Sequence, residues 1–492
     1  MKALFIMPYN RDLIHAVSLP LGLLSISTYL NANGHEARIC DLSVSHTDVV
    51  KACEEFKPDI VGISLCSVKH LDGAVHISKK LHRLGKTVVW GGPFCDMVDS
   101  GMMVESGHAD YVSLSEGEGT WLEIMRRLEA GQSLDGCPGL VYMKDGKSVR
   151  APDREFLDLT TLPDLDFSLV DVPAYRQYLY GCDNLVYVYL SKGCPAKCTF
   201  CANSVSHRCR YRRRSLDQFM REAEVLVKQY GVNGMYFSDE LCFLNKQQLY
   251  EVCDAFDASG LDFHWGFQTR IGLLGPEEFR RVYQSGCRWV DFGVESGSEE
   301  QLRIMKKAIP YDKIEPTFRW CEDAGLISLA NFIIGLPHET EEQFRETVDL
   351  ALRIHSTQNS LLRFCIPPNT EMGKAAIRDG LMKHQFKKLS DYRRIDFFVS
   401  RTDNYSEIPN RELNVVQSYF LWKAIFKKEY GKKEETKKFD LLFKHIQTVF
   451  RRLSFLDFRC RILTLTELVL LFSRFFFDVY FHPRTRKKYG LL

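Results

Sequence analysis

Three cysteines near the middle of the chain have a spacing that suits metal chemistry. Cys194, Cys198 and Cys201 lie within a run of eight residues. Cysteine thiolates hold iron–sulfur clusters, and a short loop can direct three of them to one cubane, which leaves one iron open to a ligand from outside the protein. Structural zinc needs four ligands, and the nearest further candidates, His207 and Cys209, lie among arginines without a second pair of cysteines. The spacing therefore predicts a 4Fe–4S cluster.

The cysteine segment resembles the signature of the radical S-adenosylmethionine (SAM) superfamily, in which an aromatic residue precedes the last cysteine, as Phe200 does here. The resemblance implies that the open iron binds the amino and carboxylate groups of SAM. It also implies that reduction by an external donor, of flavodoxin or ferredoxin type, cleaves SAM to a 5′-deoxyadenosyl radical. In such enzymes the cofactors carry the chemistry, and the protein orients and shields them.

Later segments extend this resemblance, each at the end of an expected strand. Asp239 and Glu240 match the second-strand end, where polar groups of the family meet the methionine part of SAM. Arg270, after the third strand, is a further candidate for the SAM carboxylate. Each acidic residue alone also fits a helix N-cap or a solvated loop, and their occurrence in order is what favours a SAM site.

Two more elements complete the expected SAM site. Glu295 and Ser296 match a fourth-strand element that lies near the ribose in the family. Gly335 and Pro337 match a fifth-strand element that packs on adenine. Cys365 follows the sixth strand, which faces the substrate chamber in the family, so it is a candidate hydrogen donor or substrate contact; the alternative is a buried core cysteine.

The first part of the chain carries glycine-rich segments that resemble the cobalamin-binding domain of cobalamin-dependent radical SAM enzymes. Glycines at strand ends let the backbone approach a bulky group without a Cβ clash. An ordinary doubly wound domain, with glycines serving only as turns, is the alternative. The resemblance implies the following cofactor contacts: Gly22, Ser64, Gly91, Gly92, Pro93, Glu116, Gly117 and Glu118.

The cobalt ligand is not indicated by the sequence. Many cobalamin proteins carry Asp-x-His-x-x-Gly after the first strand, whereas residues 10–15 do not match it. His15 is the nearest candidate for a lower axial ligand, although a single loop histidine is usually solvated.

These residues need a scaffold of alternating strands and helices. Up to residue 131, five short apolar runs separated by amphipathic segments predict a doubly wound, Rossmann-like parallel sheet, which is an α/β fold. Residues 132–180, including a hairpin at 139–150, are interpreted as a connector. Six further β-α units over residues 181–390 predict a partial (β/α)6 barrel with functional groups at the carboxyl ends of its strands. Residues 391–492 are expected to be a helical C-terminal domain.

Composition narrows the setting of the protein. Sixteen scattered cysteines in 492 residues are typical of reduced thiols, and we expect a cytoplasmic location. A net charge of +2 does not indicate nucleic acid as a partner, and none is expected. The apolar stretch 462–481 contains three charged residues and is a poor membrane span. The basic, aromatic C-terminal region is expected to pack on the barrel; peripheral membrane contact and capping of an apolar substrate are the alternatives.

Shared motifs leave the reaction open. We favour methylation of an unactivated carbon in a small-molecule or lipid-like substrate, and the alternative is cyclisation, ring contraction or rearrangement without methyl transfer. A methylthiotransferase would need an additional cluster site, whereas the N-terminal cysteines are dispersed: Cys40, Cys53, Cys66 and Cys95. A sensor without catalysis would not need the whole set of SAM-contacting strand ends.

Overall fold

A computed structural model describes residues 1–9, 17–45, 47–365, 367–381, 388–394, 404–426 and 482–491. His15, the candidate cobalt ligand, lies outside these residues. The basic segment beyond Phe426 and the apolar stretch 462–481 also lie outside them.

The first sheet has seven strands in the order β2-β1-β3-β4-β5-β6-β7, with β1 to β5 parallel. This order confirms the doubly wound arrangement, with the reversal of strand order between β1 and β3. The strands are β1 Lys2–Met7, β2 Glu36–Asp41, β3 Ile60–Ser64, β4 Val88–Gly91, β5 Tyr111–Ser113, β6 Leu140–Lys144 and β7 Lys147–Arg150.

Side chains alternate between the two covered faces of this sheet. From β1, Leu4 and Ile6 enter one apolar core, while Phe5 enters the core on the opposite face. The ring of Phe5 meets Trp121 edge-on at 4.5 Å. Burial on both faces explains why these strands are continuously apolar.

The hairpin that we assigned to the connector belongs to the first sheet. Strand β6 pairs antiparallel with β5, and β7 pairs with β6. Its turn at Asp145 and Gly146 has positive φ at both residues, as tight hairpins require. The rest of the connector touches the first domain as well, because the Tyr175 hydroxyl donates to Asp41 Oδ2 at 2.8 Å.

The second sheet has the order β16-β15-β14-β13-β12-β9-β8, with β9 and β12 to β16 parallel and β8 antiparallel to β9. It is curled, and its six parallel strands confirm the partial barrel. A separate ribbon pairs β10 with β11. The strands are β8 Gln177–Leu179, β9 Cys182–Val188, β10 Ser191–Lys192, β11 Arg212–Arg213, β12 Gly234–Phe237, β13 His264–Thr269, β14 Cys287–Glu295, β15 Ile327–Ile334 and β16 Gln358–Arg363.

Helices cover the outer face of the second sheet and both faces of the first. Their common pattern is an apolar stripe toward the sheet. The helices are α1 Leu21–Ala32, α2 Val49–Phe56, α3 Leu71–Arg83, α4 Pro93–Met97, α5 Gly101–Glu105, α6 Glu118–Glu129, α7 Asn203–Ser206, α8 Leu216–Tyr230, α9 Lys246–Ser259, α10 Pro276–Gln284, α11 Glu299–Ile304, α12 Ile314–Asp323, α13 Glu341–Arg353, α14 Glu371–Arg378, α15 Asn410–Phe426 and α16 Pro483–Lys488.

The described part of the C-terminal region is helical and packs on the barrel. The Arg363 guanidinium, at the end of β16, donates to side-chain oxygens of Asn410 and Asn414 on α15. The Tyr489 hydroxyl, after α16, donates to Glu412 at 2.5 Å. Among the described residues, no helix is both long and apolar enough to cross a bilayer.

Candidate functional site

The three-cysteine loop begins where the first barrel strand ends. Strand β9 stops at Val188, and the chain enters the β10 ribbon before Gly193. Gly193 has φ +81°, and a Cβ there would lie 2.0 Å from the carbonyl oxygen of Arg210. Only glycine fits this position. The Asn203 side chain then holds the backbone of Cys194 through bonds of 3.0 and 2.8 Å.

The cysteine loop is anchored to the barrel on its far side. The backbone amide of Thr199 donates to Met305, and its carbonyl accepts from Met372. Cys194 and Cys198 are buried and Cys201 is half-buried. Among the described residues, no three His, Cys, Asp or Glu side chains converge on one metal-ion position. A cubane takes each thiolate at a different iron, so its cysteines need not converge.

Glu295 ends β14 beside this loop in an uncommon backbone conformation. Its φ is +69°, and the register with β15 shifts between Gly293 and Glu295. The Lys307 ammonium donates to its carboxylate at 2.7 Å, and both side chains are about nine-tenths buried. Burial is the main reason that the pKa of Cys201 rises to about 11, and the charges of Lys307 and Glu295 act on the same thiol. The ion pair is therefore close to the expected cluster.

Ser296 and Arg270 have different surroundings. Ser296 is fully buried, and its hydroxyl bonds to Thr347 on α13 at 3.0 Å. It anchors the loop and does not face an open site. Arg270 donates to the carbonyl of Ala308, one residue from Lys307, so it lies on the same side of the barrel as the Glu295 pair.

Asp239 and Glu240 are adjacent in sequence, but Asp239 is buried whereas Glu240 is exposed. Asp239 is 1% exposed and accepts from the Leu190 amide and the Ser191 hydroxyl, at 3.1 and 2.5 Å. Burial raises its pKa to about 7. The oxygens of Asp239 hold the segment that leads into the cysteine loop, and its direct contact with SAM stays a prediction. Glu240 is 39% exposed and accepts from the Gly193 amide at 2.9 Å.

The fifth-strand element is a tight turn held by a buried carboxylate. Gly335 has φ +77°, and its amide donates to Glu339 Oε2 at 2.7 Å, while the Leu336 amide donates to the same oxygen at 3.2 Å. The other oxygen, Oε1, is buried without a hydrogen-bond partner. Burial raises the pKa of Glu339 to about 8. Pro337 is half-buried on this turn.

Phe200 and Cys365 lie close to an apolar cluster formed by loops after three barrel strands. Phe200 packs against this cluster, whose buried members include Leu336, Phe364 and Met372. Cys365 follows Phe364 and is 5% exposed. Its contact with substrate stays a prediction.

The carboxyl edge of the first sheet contains part of the expected cobalamin contacts. Gly22, at the start of α1, has nothing within 4 Å of the position that a Cβ would take, so its backbone is open. The Ser64 hydroxyl, at the end of β3, is 3.9 Å from the thiol of Cys66. The surrounding protein raises the pKa of that thiol by desolvation. These features fit a large flat cofactor.

Other glycines of this edge pack the protein itself. Gly92 has φ +100°, and a Cβ would lie 2.7 Å from the carbonyl oxygen of Leu65. A Cβ on Gly117 would meet Ile26 at 2.4 Å. Gly91 accepts from the Leu65 amide, and Pro93 begins α4. Each of these residues therefore has a structural role, and a cofactor contact by Gly91, Gly92, Pro93 or Gly117 stays a prediction.

Glu116 and Glu118 form ion pairs with residues of the second domain. Glu116 pairs with Arg212 and with His207 of the second domain, the latter at 3.1 Å. Glu118 is 3% exposed and binds Lys192 at 2.7 Å. Both residues thus take part in interdomain ion pairs, and their contact with cobalamin stays a prediction.

The concave face of the barrel carries polar groups that we did not predict. The Tyr236 hydroxyl donates to Asp291, and the Tyr236 ring stacks on Trp289 with centroids 6.5 Å apart. Burial raises the pKa of Asp291 to about 6. A carboxylate in the middle of an apolar strand was the available signal, because Trp289 and Asp291 share one face at the strand period of two.

Comparison with known proteins agrees with this arrangement. The radical SAM superfamily model matches residues 188–351, and the B12 binding domain model matches residues 14–125. The chain therefore belongs to the cobalamin-dependent radical SAM enzymes. SAM, a 4Fe–4S cluster and cobalamin are the cofactors of this class.

Curated relatives span more than one reaction. The chain is 28% identical over 394 residues to an uncharacterized methyltransferase of Pyrococcus horikoshii, covering 78% of this chain and 84% of the relative. It is 26% identical to the anaerobic magnesium-protoporphyrin IX monomethyl ester cyclase of Rubrivivax gelatinosus, covering 68% and 61%. It is 25% identical to the hopanoid C-3 methylase of Methylococcus capsulatus, covering 66% and 62%.

Solved structures share the fold. The radical SAM methyltransferase TsrM of Kitasatospora setae has a TM-score of 0.67 at 21% identity, covering 77% of each chain. The cobalamin-dependent radical SAM enzyme OxsB has a TM-score of 0.71 at 15% identity, covering 96% of this chain and 75% of that one.

Proposed function

We propose that this enzyme transfers a methyl group to an unactivated carbon of a small-molecule or lipid-like substrate. The observation that carries the proposal is that loops at the carboxyl edges of the two sheets contact each other directly. Asn369, after β16, donates from its side chain to the carbonyls of Asp96 and Val98 in the first domain, at 2.8 and 2.7 Å. This contact supports a shared space between the expected cobalamin and SAM sites. The methyltransferase and methylase among the relatives support the same reaction.

The cofactors and the protein have separate tasks in this proposal. Cobalamin supplies methyl transfer, and the cluster with SAM supplies hydrogen abstraction, when they are bound. Cys194, Cys198 and Cys201 would hold the cluster, and Glu295 and Arg270 would orient SAM beside it. Open backbone at Gly22, together with Ser64, would receive cobalamin.

The concave face suggests the class of substrate. The rings of Tyr187 and Tyr236 are 5.2 Å apart, and Tyr180 stacks on Trp289 at 4.8 Å. Trp289 is fully buried and Tyr236 is 6% exposed, so these rings give the concave face an apolar, aromatic interior. Such surroundings favour an apolar or ring-containing molecule. Asp291, bonded to Tyr236, adds one polar contact that could orient a hydroxyl or amine group.

The test uses full-length enzyme purified and reconstituted without oxygen. It is incubated with SAM bearing a deuterated methyl group, a reductant, and lipid or small-molecule extracts. Methyl transfer predicts a product that carries the deuterated methyl group, with S-adenosylhomocysteine and 5′-deoxyadenosine formed together. The cysteine triple alanine variant is the control for non-enzymatic methylation.

The cyclase among the relatives is the specific reason to keep a second reaction. A cyclisation would form 5′-deoxyadenosine without S-adenosylhomocysteine and without label in the product. That outcome would contradict methyl transfer and retain the radical chemistry.

A further inference from the structure

Charged side chains of both domains join beside the cysteine loop. Glu116 and Glu118 come from the turn after β5, at the start of α6. Lys192 lies on β10, two residues before Cys194, and Arg212 lies opposite it on β11. Lys192 bonds to Glu118 at 2.7 Å, with side chains 17% and 4% exposed.

The network contains two ion pairs, Glu118 with Lys192 and Glu116 with Arg212, and each joins opposite charges directly. Arg212 uses both terminal nitrogens on Glu116, one of them at 2.9 Å. Removing one partner of such a pair leaves an uncompensated charge in a region of low dielectric.

The network continues to the backbone of the cysteine loop. His207 lies between Glu116 and Glu240, at 3.1 and 3.2 Å. Glu240 in turn accepts from the amide of Gly193, the residue before Cys194. Contacts therefore run without interruption from the first domain to the cysteine loop.

We propose that the ion pair between Glu118 and Lys192 positions the cysteine loop and fixes the net charge beside it. Through this pair, the docked first domain sets the reduction potential of the cluster. Reduction potentials of iron–sulfur clusters depend on nearby charge and hydrogen bonding. Lys192 alone would favour the added electron and raise the potential. Glu118 cancels that charge only when the two domains are docked as they are here. The inference rests on the proposed assignment of the cluster to the three cysteines.

The test measures the midpoint potential for one-electron reduction of the cluster in full-length, reconstituted protein, by redox titration followed by electron paramagnetic resonance. Glu118→Gln leaves the lysine uncompensated and is expected to shift the potential in the positive direction. Lys192→Met leaves the carboxylate uncompensated and is expected to shift it in the negative direction. The double variant is expected to lie closer to wild type than either single variant.

Matched control variants separate an effect of charge on the midpoint potential from a general structural effect of the substitution. Glu123→Gln removes a carboxylate of the same helix that pairs with Arg154 and Arg127, away from the cysteine loop, and should leave the potential unchanged. If Glu118→Gln does not retain iron, Glu116→Gln and Arg212→Met provide a second pair of variants. Glu116→Gln is expected to shift the midpoint potential in the positive direction, and Arg212→Met in the negative direction.

Two outcomes would overturn the inference. Shifts of the same sign in both single variants would indicate a purely structural role, and unchanged potentials in variants that retain iron would remove the electrostatic link. Wild-type protein without an iron–sulfur signal would instead contradict the cluster assignment itself.

Discussion

Glu339 provides a test of how the turn expected to pack on adenine is held. Its carboxyl group is fully buried, accepts two backbone amides at Oε2, and leaves Oε1 without a partner. Because burial raises its pKa from 4.5 to about 8, the folded protein binds this proton more tightly than the unfolded chain does. The contribution of Glu339 to stability is therefore complete below pH 4.5 and decreases as the pH rises toward 8.

The magnitude follows from this shift. Each pKa unit corresponds to about 1.4 kcal/mol, so the wild type should lose about 2 kcal/mol of stability through Glu339 between about pH 6 and pH 8. Glu339→Gln keeps the shape and the amide acceptor but cannot ionise. We expect the variant to match the wild type near pH 4.5. Its advantage should increase by about 2 kcal/mol between about pH 6 and pH 8, or by about 4 °C or more in melting temperature.

The assay is thermal unfolding of cluster-free full-length protein across this pH range. Glu278→Gln is the matched control, because Glu278 is also a buried glutamate of the second domain. Burial acts to raise its pKa, but the hydrogen bonds from Lys246 and from the Gly275 amide, together with the charge of Lys246, outweigh burial and lower the pKa. That variant should be less stable than wild type at both pH values. Parallel melting curves for wild type and Glu339→Gln at all pH values would refute the reasoning.

Three further changes test the proposed site. Replacing Cys194, Cys198 and Cys201 together by alanine should remove iron, sulfide and SAM cleavage; retained cleavage would contradict the cluster assignment. Glu295→Gln should weaken SAM binding several-fold in equilibrium titration while iron content stays near wild type, because the change leaves Lys307 uncompensated; unaltered affinity would count against it. Asn369→Ala removes the two side-chain hydrogen bonds to the carbonyls of Asp96 and Val98 and should reduce cobalamin retention, measured by corrin absorbance, without loss of iron.

Local chemistry explains why much of the architecture was predictable. The spacing of Cys194, Cys198 and Cys201 is a property of one loop, and an apolar run such as β1 encodes burial on both faces. The six expected strands of the barrel are all present. At Val188 the chain leaves the sheet and forms the β10 ribbon, which the apolar pattern does not predict.

The roles of individual acidic residues required the tertiary structure. Glu295 and Asp239 both end barrel strands, and nothing in their local sequence distinguishes a carboxylate beside the cysteine loop from one sealed under it. Glu118 is part of a glycine-rich segment that resembles a cofactor turn, yet its partner, Lys192, is 74 residues away. The position of a residue at a strand end can be predicted from local sequence. The partner of its side chain depends on which distant segment packs against that strand end.

Sequence by itself determined the two α/β domains, the three-cysteine loop and the order of the strand-end motifs, because periodicity, spacing and backbone requirements act over a few residues. Only the tertiary structure decided that the 139–150 hairpin completes the first sheet, that Asp239 and Ser296 anchor loops, and that Glu116 and Glu118 pair with the second domain. These outcomes depend on edges and charges brought together from distant parts of the chain, where burial makes each charge select a partner of opposite sign.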